Sequence, residues 1–299
     1  MTAIATVSPQ RQPLGASVNI PPRRLDFVFN ANEKRYWYKD SAFLTTFWAT
    51  LSSLFPEGES FFVEAVRNYR TQITDPILKA QIAGFIGQEA MHTKEHQALN
   101  DAIVKQGFPV DKLDRDVGKL LHFVQKVLPK SMQLAVTAAL EHYTAILAEQ
   151  LLTEPEHSAA VSPKFRELWQ WHALEESEHK TVAFDVLNQV NNSYLLRAGT
   201  MVPVTIIFFA VVFVFHLRML AAERALFNVG DNLRGMSYLF GRKGLFTRLV
   251  PKFFDYFKPS FHPLDHDTTA LLEEWREKLF GENGPLRDQV KMPGSKAKQ

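Results

Sequence analysis

The sequence WHALEESEH, at residues 171–179, contains two histidines and three glutamates within nine residues. With about 100° of rotation per residue in an α-helix, the side chains of His172, Glu176 and His179 fall within an arc of roughly 60°. These side chains therefore share one helix face, where a carboxylate lies between two imidazoles. Iron, manganese and zinc accept such donors in proteins. The face predicts one wall of a metal site.

A second face of this type occurs in QEAMHTKEH, where Glu89 and His92 are three residues apart. Two Glu-x-x-His pairs on two helices are typical of a dinuclear carboxylate site, which takes one further glutamate from each of two other helices. Glu59 precedes Glu89 by 30 residues. Glu141 precedes Glu176 by 35 residues. Both intervals fit a helix, a turn and a returning helix, so Glu59 and Glu141 are the predicted partners.

The surroundings of these two glutamates support the prediction. Glu141 shares a helix face with small apolar residues such as Ala138, where an unpaired carboxylate is costly to bury. Glu59 shares a face with apolar residues such as Phe62. Glu64, the alternative candidate, shares its face with polar residues, so we expect it to form a solvated ion pair.

The other histidines and glutamates of these segments are predicted to have supporting or structural roles. Glu175 and Glu178 point away from the metal-facing side of their helix, so we expect them to face solvent or to support the ligands. His96 is expected to support a ligand or to lie at the surface. His122 and His142 are expected to be structural.

Helical periodicity dominates from about residue 40 to 193, and no alternating β-strand pattern is present. This predicts an all-α protein built on a four-helix bundle. The predicted helices are 40–55 and 59–73, separated at Pro-Glu-Gly; 75–107, capped by Asp75; 131–152; and 162–190, capped by Ser162.

The composition divides the chain into four predicted parts: a flexible leader at 1–24, the di-metal bundle at 25–193, an apolar, basic and aromatic helical extension at 194–280, and a disordered tail at 281–299. Residues 198–215 carry no charge over 18 residues, about the minimum for a membrane span. Basic and aromatic residues follow, as at a membrane interface.

We expect membrane association through residues 198–260. The bundle and the basic segment are both expected on the cytoplasmic side, whereas a single crossing would separate them. A helix embedded in one leaflet is therefore favoured. The alternatives are a full span and a buried core helix or dimer interface.

The composition also excludes several classes of site. The chain has no cysteine, which excludes disulfides, thiolate metal sites and cysteine nucleophiles, so any metal must be bound by His, Asp or Glu. A formal net charge of +2 gives no basis for a nucleic-acid partner. The N-terminus lacks the apolar core of a signal peptide, so we expect a cytoplasmic protein.

The ligand pattern resembles that of the ferritin-like di-iron carboxylate superfamily, which implies a ferritin-like bundle. More narrowly, FPEGESFF, QEAMHTKEH and HALEESEHKTVAFDV resemble a bacterial family labelled predicted metal-dependent hydrolase, over about residues 25 to 280. His172 adds an imidazole in a manner similar to the di-iron N-oxygenases. The resemblance thus implies seven ligands: Glu59, Glu89, His92, Glu141, His172, Glu176 and His179. The alternative for His172 is a hydrogen bond to a ligand.

These features together predict a di-iron oxygenase or oxidase that uses O2 to oxidise an organic, hydrophobic substrate such as a lipid. The cofactors would be two iron ions, with manganese or a mixed iron and manganese pair as alternatives. Electrons must come from an external donor such as a separate reductase, because no dinucleotide-binding Gly-x-Gly-x-x-Gly motif is present. A homodimer is one expected assembly.

Two other functions remain as alternatives. A dinuclear metal-dependent hydrolase of the same fold would cleave an ester or phosphoester with metal-activated water. A ferritin-like protein would bind or store iron. The long apolar and basic extension counts against a storage cage.

Overall fold

The computed structural model describes residues 15–29 and 33–291 of the chain. Within these residues every regular element is helical, and the only extended pairings are two isolated bridges. The predicted all-α fold class is confirmed. The helices are α1 (Ala42–Arg67), α2 (Pro76–Lys105), α3 (Val110–Val127), α4 (Lys130–Thr153), α5 (Pro155–Ala159), α6 (Pro163–His179), α7 (Val182–Val190), α8 (Tyr194–Ala222), α9 (Val229–Phe240), α10 (Leu245–Asp255) and α11 (Thr269–Phe280).

Four helices form the bundle that carries the predicted ligands. α1 packs on α2, α4 packs on α6, and contacts of α1 with α4 and of α2 with α6 close the group. α3 joins α2 to α4 and packs along α1. No helix was predicted there, although Val110, Leu113 and Val117 recur at helical spacing and are buried. The ferritin-like relationship of the bundle stays a prediction.

α1 continues through Pro56, so the predicted break between residues 55 and 59 is wrong. A proline inside a helix leaves the carbonyl four residues earlier without its usual donor. Here that carbonyl belongs to Ser52, and the side-chain amide of Asn100 on α2 donates to it at 3.1 Å. Because the neighbouring helix supplies the missing hydrogen bond, the helix continues and Glu59 lies well inside it.

The predicted helix 162–190 is interrupted directly after His179, where α6 ends. The next residue, Lys180, is buried. Its ammonium group donates to Thr268 Oγ1 at 3.0 Å and to the carbonyl of His266. A buried ammonium group needs such partners, and the break accompanies the turn of Lys180 toward them.

The helix starts follow local sequence signals. The side chain of Asp75 accepts a hydrogen bond from the Ile77 backbone N–H, so its predicted capping of α2 is confirmed. Ser162 precedes α6 as predicted, but its side chain makes no capping hydrogen bond.

Parts of the predicted leader and tail pack against the bundle. Ile20 and Leu286 are 2% and 0% exposed. Arg23 forms ion pairs with glutamates of α6. The structure therefore differs from the predicted flexible leader and disordered tail at residues 15–24 and 281–291. Residues 1–14 and 292–299 lie outside the described part of the chain.

α8 lies against the bundle rather than standing apart from it. It packs on α1 and α4. Tyr143 on α4 donates to Thr205 on α8 at 2.8 Å, and apolar residues of the extension such as Met219 and Leu239 share one core with α1. Residues 194–280 therefore do not form a separate core, in contrast to the predicted division at residue 193.

Within the described residues, α8 is the one helix that is long and apolar enough to cross a membrane. Only 33% of its most apolar 18-residue window is buried, whereas the core helix of a soluble protein is mostly buried. The expected membrane association rests on this exposed apolar surface.

The hydrogen bond that replaces the missing donor at Pro56 predicts a measurable coupling. Asn100→Ala should lower the free energy of unfolding by about 1–3 kcal/mol, because a buried carbonyl loses its partner. Pro56→Ala restores a backbone donor, so the double variant should lose less than the sum of the two single variants. Denaturant unfolding of the metal-free chain measures this difference, and strictly additive effects would contradict the compensation.

Candidate metal centre

The structure brings together all seven residues that were predicted to bind metal. They are Glu59 on α1, Glu89 and His92 on α2, Glu141 on α4, and His172, Glu176 and His179 on α6. None of the seven is more than 4% exposed. Residues from four helices therefore meet at one buried place, although their role as ligands stays a prediction.

The donor atoms of these residues form two groups. One group contains Glu59, His92 and His172, and the other contains Glu89, Glu141, Glu176 and His179. Within each group the donor atoms lie within 4.8 Å of one another. Each group can hold one metal ion through oxygen and imidazole nitrogen donors.

Two carboxylates connect the groups. Glu89 Oε1 lies 3.0 Å from His179 Nε2, and its Oε2 lies 3.8 Å from His92 Nδ1. Glu176 Oε1 lies 2.8 Å from His172 Nε2, and its Oε2 lies 3.6 Å from His179 Nε2. Each of these glutamates reaches both groups, which is the position of a bridging carboxylate. The other two glutamates each face one group.

Outer hydrogen bonds orient the rings of His92 and His179. His92 Nε2–H donates to Glu175 at 3.1 Å, and Glu175 also accepts from Arg23 at 2.8 Å. His179 Nδ1–H donates to the amide oxygen of Gln88 at 2.9 Å. Because these acceptors carry no proton, the outer nitrogen of each ring holds the proton and the inner nitrogen presents a lone pair to the centre.

A series of hydrogen bonds through Asn100, Ser52 and His96 orients His172. Asn100 donates its amide hydrogen to the Ser52 carbonyl, and its amide oxygen accepts from Ser52 Oγ at 2.7 Å. Ser52 Oγ therefore accepts from His96 Nδ1–H at 3.0 Å, which leaves His96 Nε2 to accept from His172 Nδ1–H at 2.5 Å. His172 Nε2 thus presents its lone pair to the centre. Burial lowers the pKa of both imidazoles, in agreement with their neutral forms.

Hydrogen-bond acceptors therefore face one another at the centre, because the inward imidazole nitrogens and the carboxylate oxygens both present lone pairs. Imidazole lone pairs face carboxylate oxygens at 2.8 Å between His172 and Glu176 and at 3.0 Å between His179 and Glu89. Within the described residues, both oxygens of Glu89 and both of Glu141 are buried without a hydrogen-bond partner. Such contacts are repulsive unless a cation lies between the atoms. The donor set therefore fits metal ions.

In the metal-free chain protons on four of the seven residues supply part of this positive charge. Burial raises the pKa of Glu59 and Glu141 well above the usual range, and the charges of neighbouring carboxylates raise it further. Burial also opposes charge on His92 and His179, yet contacts with the carboxylates hold their pKa well above the usual value. Metal binding would therefore displace protons, as expected for ligands that bind in their deprotonated form.

An apolar cavity of about 250 Å³ adjoins one side of the centre. Helices α1, α3, α4, α8 and α10 form its walls, and Glu59 is the one predicted ligand among its lining residues. Most of the lining is aliphatic or aromatic, and Ile207, part of the wall on α8, is 53% exposed. A larger surface depression of about 610 Å³, beside Trp37 and Arg166, contains none of the seven residues.

The structure selects between the alternative roles predicted for several residues near the ligands. The side chains of Glu175 and Glu178 are 0% exposed, so they do not form a solvated face. Glu175 supports His92, and Glu178 accepts from the amide of Gln88 at 2.7 Å. His96 is buried and supports His172, whereas the surface alternative for it is wrong.

Some supporting residues were missed in the sequence although a signal for them exists. Gln88, His92, His96 and Asn100 recur every four residues, so they share one polar face of α2. That face indicates Gln88 and Asn100 as residues that support the ligands, Gln88 directly and Asn100 through Ser52 and His96. No local signal identifies Arg23, which lies 152 residues from Glu175 in the chain.

An all-α bundle with two groups of buried carboxylate and imidazole donors defines a candidate metalloprotein. Comparison with known families is more specific. The chain belongs to the family described as "Predicted metal-dependent hydrolase", which matches residues 21–267 and so includes all seven residues. This description supports the hydrolase alternative better than the predicted oxygenase. No curated protein and no solved structure matches the chain.

The outer hydrogen bonds predict a loss of metal affinity without a loss of any ligand. Gln88→Ala removes the partner of His179 and should weaken the binding of one ion by about 10–100-fold. Gln133→Ala is the matched control, because Gln133 is also a buried helical glutamine but binds backbone carbonyls away from the centre. Titration of both variants with Mn²⁺ or Fe²⁺ under nitrogen measures the difference. Equal affinities would exclude Gln88 from supporting a ligand.

Proposed function

We propose that the chain is a dinuclear metalloenzyme that oxidises an apolar substrate with O2. In this proposal Glu59, His92 and His172 would hold one iron ion, Glu141 and His179 would hold the other, and Glu89 and Glu176 would contribute to both. One observation carries the proposal. Two buried groups of imidazole and carboxylate donors lie side by side, and Glu89 and Glu176 each reach both groups.

Two iron(II) ions bound there would supply the activation of O2. The residues of the chain exclude water from the site and hold the ligands in position. His172 makes the two groups unequal, because one then has two imidazoles and the other has one. The hydrogen bond from His172 to His96 holds that extra imidazole with its lone pair inward.

The cavity supports an apolar substrate. Its wall reaches from Glu59 at the centre to Ile207, which is exposed on α8. Its lining offers few groups that could bind a charged or strongly hydrated molecule. Transfer of a hydrocarbon from water into the cavity is favourable. The substrate class we propose is therefore a hydrocarbon chain or another extended apolar molecule.

Oxidation also needs electrons from outside the chain, and a row of aromatic rings leads outward from the centre. Ring centroids are 6.3 Å apart between His172 and Trp169, 4.8 Å between Trp169 and Trp48, and 5.4 Å between Trp48 and Tyr38. The hydroxyl of Tyr38 lies 2.9 Å from that of the half-buried Tyr238. This row supports a route for electrons from a separate reductase.

The family description favours a second candidate, a metal-dependent hydrolase. The lining of the cavity favours an apolar ester as its substrate. The same seven residues would then hold zinc or manganese ions, which supply Lewis-acid activation of water. The predominantly apolar cavity favours a carboxylic ester over a phosphoester, because few of its residues can bind a phosphate.

Oxygen dependence separates the two candidates. The chain loaded with Fe²⁺ under nitrogen should contain about two ions and should show a transient visible absorption with O2 uptake when exposed to air. The same chain loaded with Zn²⁺ or Mn²⁺ should not cleave nitrophenyl esters of fatty acids. Ester turnover under nitrogen without iron-dependent O2 uptake would overturn the oxidation proposal and support hydrolysis.

His172→Ala tests the inequality of the two groups. This variant should retain one tightly bound ion and lose about tenfold or more in affinity for the other, with an altered absorption transient. His216→Ala is the matched control, because His216 is buried but donates to the Phe43 carbonyl on the other side of α1. An unchanged transient in His172→Ala would make His172 a hydrogen-bond partner and not a ligand.

Gly58 tests the cavity. It lines the cavity one residue before Glu59, and an added Cβ would meet no atom within 4 Å. Gly58→Leu should therefore fill the space beside the centre, leave metal binding unchanged and weaken the binding of a fluorescent fatty-acid analogue about tenfold. Gly199→Leu is the control, since its Cβ also meets no atom but lies outside the cavity.

Both glycine variants should raise helix stability, by up to about 1 kcal/mol each. The loss of probe binding should appear in Gly58→Leu alone. Equal probe binding by the two variants would show that the substrate reaches the centre by another route.

A further inference from the structure

The outer face of α8 lacks the charged residues that a solvent-facing helix normally carries. Val202, Ile206, Phe213 and Leu217 follow one another along the exposed side, at 50%, 65%, 63% and 39% exposure. No charged residue occurs between Arg197 and Arg218. A surface helix in water usually presents a polar face opposite its packed face. The apolar face of α8 is therefore an interaction surface.

The same surface continues onto α9 and α10. Phe209 of α8 contacts Phe246 of α10, with ring centroids 6.1 Å apart, and Phe246 contacts Phe240 of α9 at 5.3 Å. Phe227, in the connection before α9, is 91% exposed, and Leu233 on α9 is 66% exposed. We call the exposed apolar side of these three helices the α8–α10 face.

The charges around this face indicate what it meets. Residues 194–260 contain nine basic and only three acidic residues. Each acidic residue is already engaged, since Glu223 pairs with Arg35, Asp231 accepts from the Phe43 N–H, and Asp255 pairs with Lys258. Five of the basic residues also form ion pairs and Arg197 is buried, so among the described residues the positive charge without an ion pair lies on Arg224, Arg242 and Lys243. Arg242 and Lys243 are exposed. Exposed apolar side chains with a positive surround match the surface of an anionic lipid bilayer.

We propose that the α8–α10 face binds the surface of an anionic lipid bilayer, with α8 lying in the plane of one leaflet. The opposite side of α8 excludes an independent span. Buried residues on that side extend from Ala198 and Met201 to Phe215 and Met219, so the helix is packed on the bundle along most of its length. A helix that crossed the membrane would have to leave this packing or draw the bundle's polar surface into the lipid.

This orientation places one wall of the cavity at the membrane. Ile207 belongs to both the exposed surface of α8 and the lining that reaches Glu59. A substrate dissolved in the bilayer could therefore enter without crossing water. This last step rests on the proposed function, whereas binding of the bilayer does not depend on the metal or on the reaction.

Flotation of the metal-free full chain with lipid vesicles tests the proposal. The chain should float with vesicles of phosphatidylcholine and phosphatidylglycerol and should bind pure phosphatidylcholine more weakly. High salt should lower binding to the mixed vesicles toward the level on pure phosphatidylcholine. Ile206→Glu should reduce partitioning at least tenfold on both vesicles. The double variant Arg242→Glu with Lys243→Glu should reduce chiefly the preference for phosphatidylglycerol. Absence of flotation by the wild-type chain would overturn the proposal.

Ile77→Glu is the matched control, because Ile77 is an isoleucine of 60% exposure on α2, outside this face. It should bind vesicles as the wild-type chain does, and an equal loss in Ile77→Glu and Ile206→Glu would contradict the proposed surface. Thermal unfolding shows whether Ile206→Glu is folded. If it is not, Leu233→Glu on α9 provides an independent variant of the same face. If the wild-type chain forms a dimer and does not bind vesicles, and Ile206→Glu dissociates that dimer, the face serves self-association and the lipid-binding proposal is overturned.

Discussion

Four carboxylates buried at one place impose the constraint on which the rest of the structure depends. Glu59, Glu89, Glu141 and Glu176 come from four helices and are nearly inaccessible to water. Like charges in a medium of low polarisability repel strongly, and each also loses its hydration. The bundle can close only if cations neutralise these groups. Protons meet this need in the metal-free chain, but three inward imidazole lone pairs make metal ions the better match.

The hydrogen bonds outside the ligands connect distant parts of the chain to this centre. Arg23, close to the N-terminus, and Arg276, on α11, both bind the carboxylate of Glu178 on α6. Arg23 also binds Glu175, which holds the ring of His92. Both ends of the described chain therefore fix the helix that carries three of the predicted ligands. Asn100 also has two roles. Its amide oxygen accepts from Ser52 Oγ in the series of hydrogen bonds that leads to His172, and its amide N–H donates to the Ser52 carbonyl that Pro56 leaves without a donor.

The surroundings of the centre are polar on one side and apolar on the other. Charged and amide groups near Arg23 and Gln88 orient the imidazoles, whereas the side beside Glu59 opens into the apolar cavity. In the proposed function this division would separate the residues that hold metal from the cavity that admits substrate. It also explains why the apolar extension shares its core with the bundle: α8 is at once a wall of the cavity and the surface proposed to meet lipid.

The sequence by itself determined the all-α class and which seven side chains meet, because helical periodicity is local and a buried glutamate or histidine stands out on an apolar face. It did not determine that α1 continues through Pro56, that Glu89 and Glu176 lie between two groups, or that Arg23 supports a residue 152 positions away. It also left open the place of α8, since hydropathy cannot distinguish a span from a helix packed on one side. Only the tertiary structure decided these points, because each depends on contacts between residues that are distant in the chain.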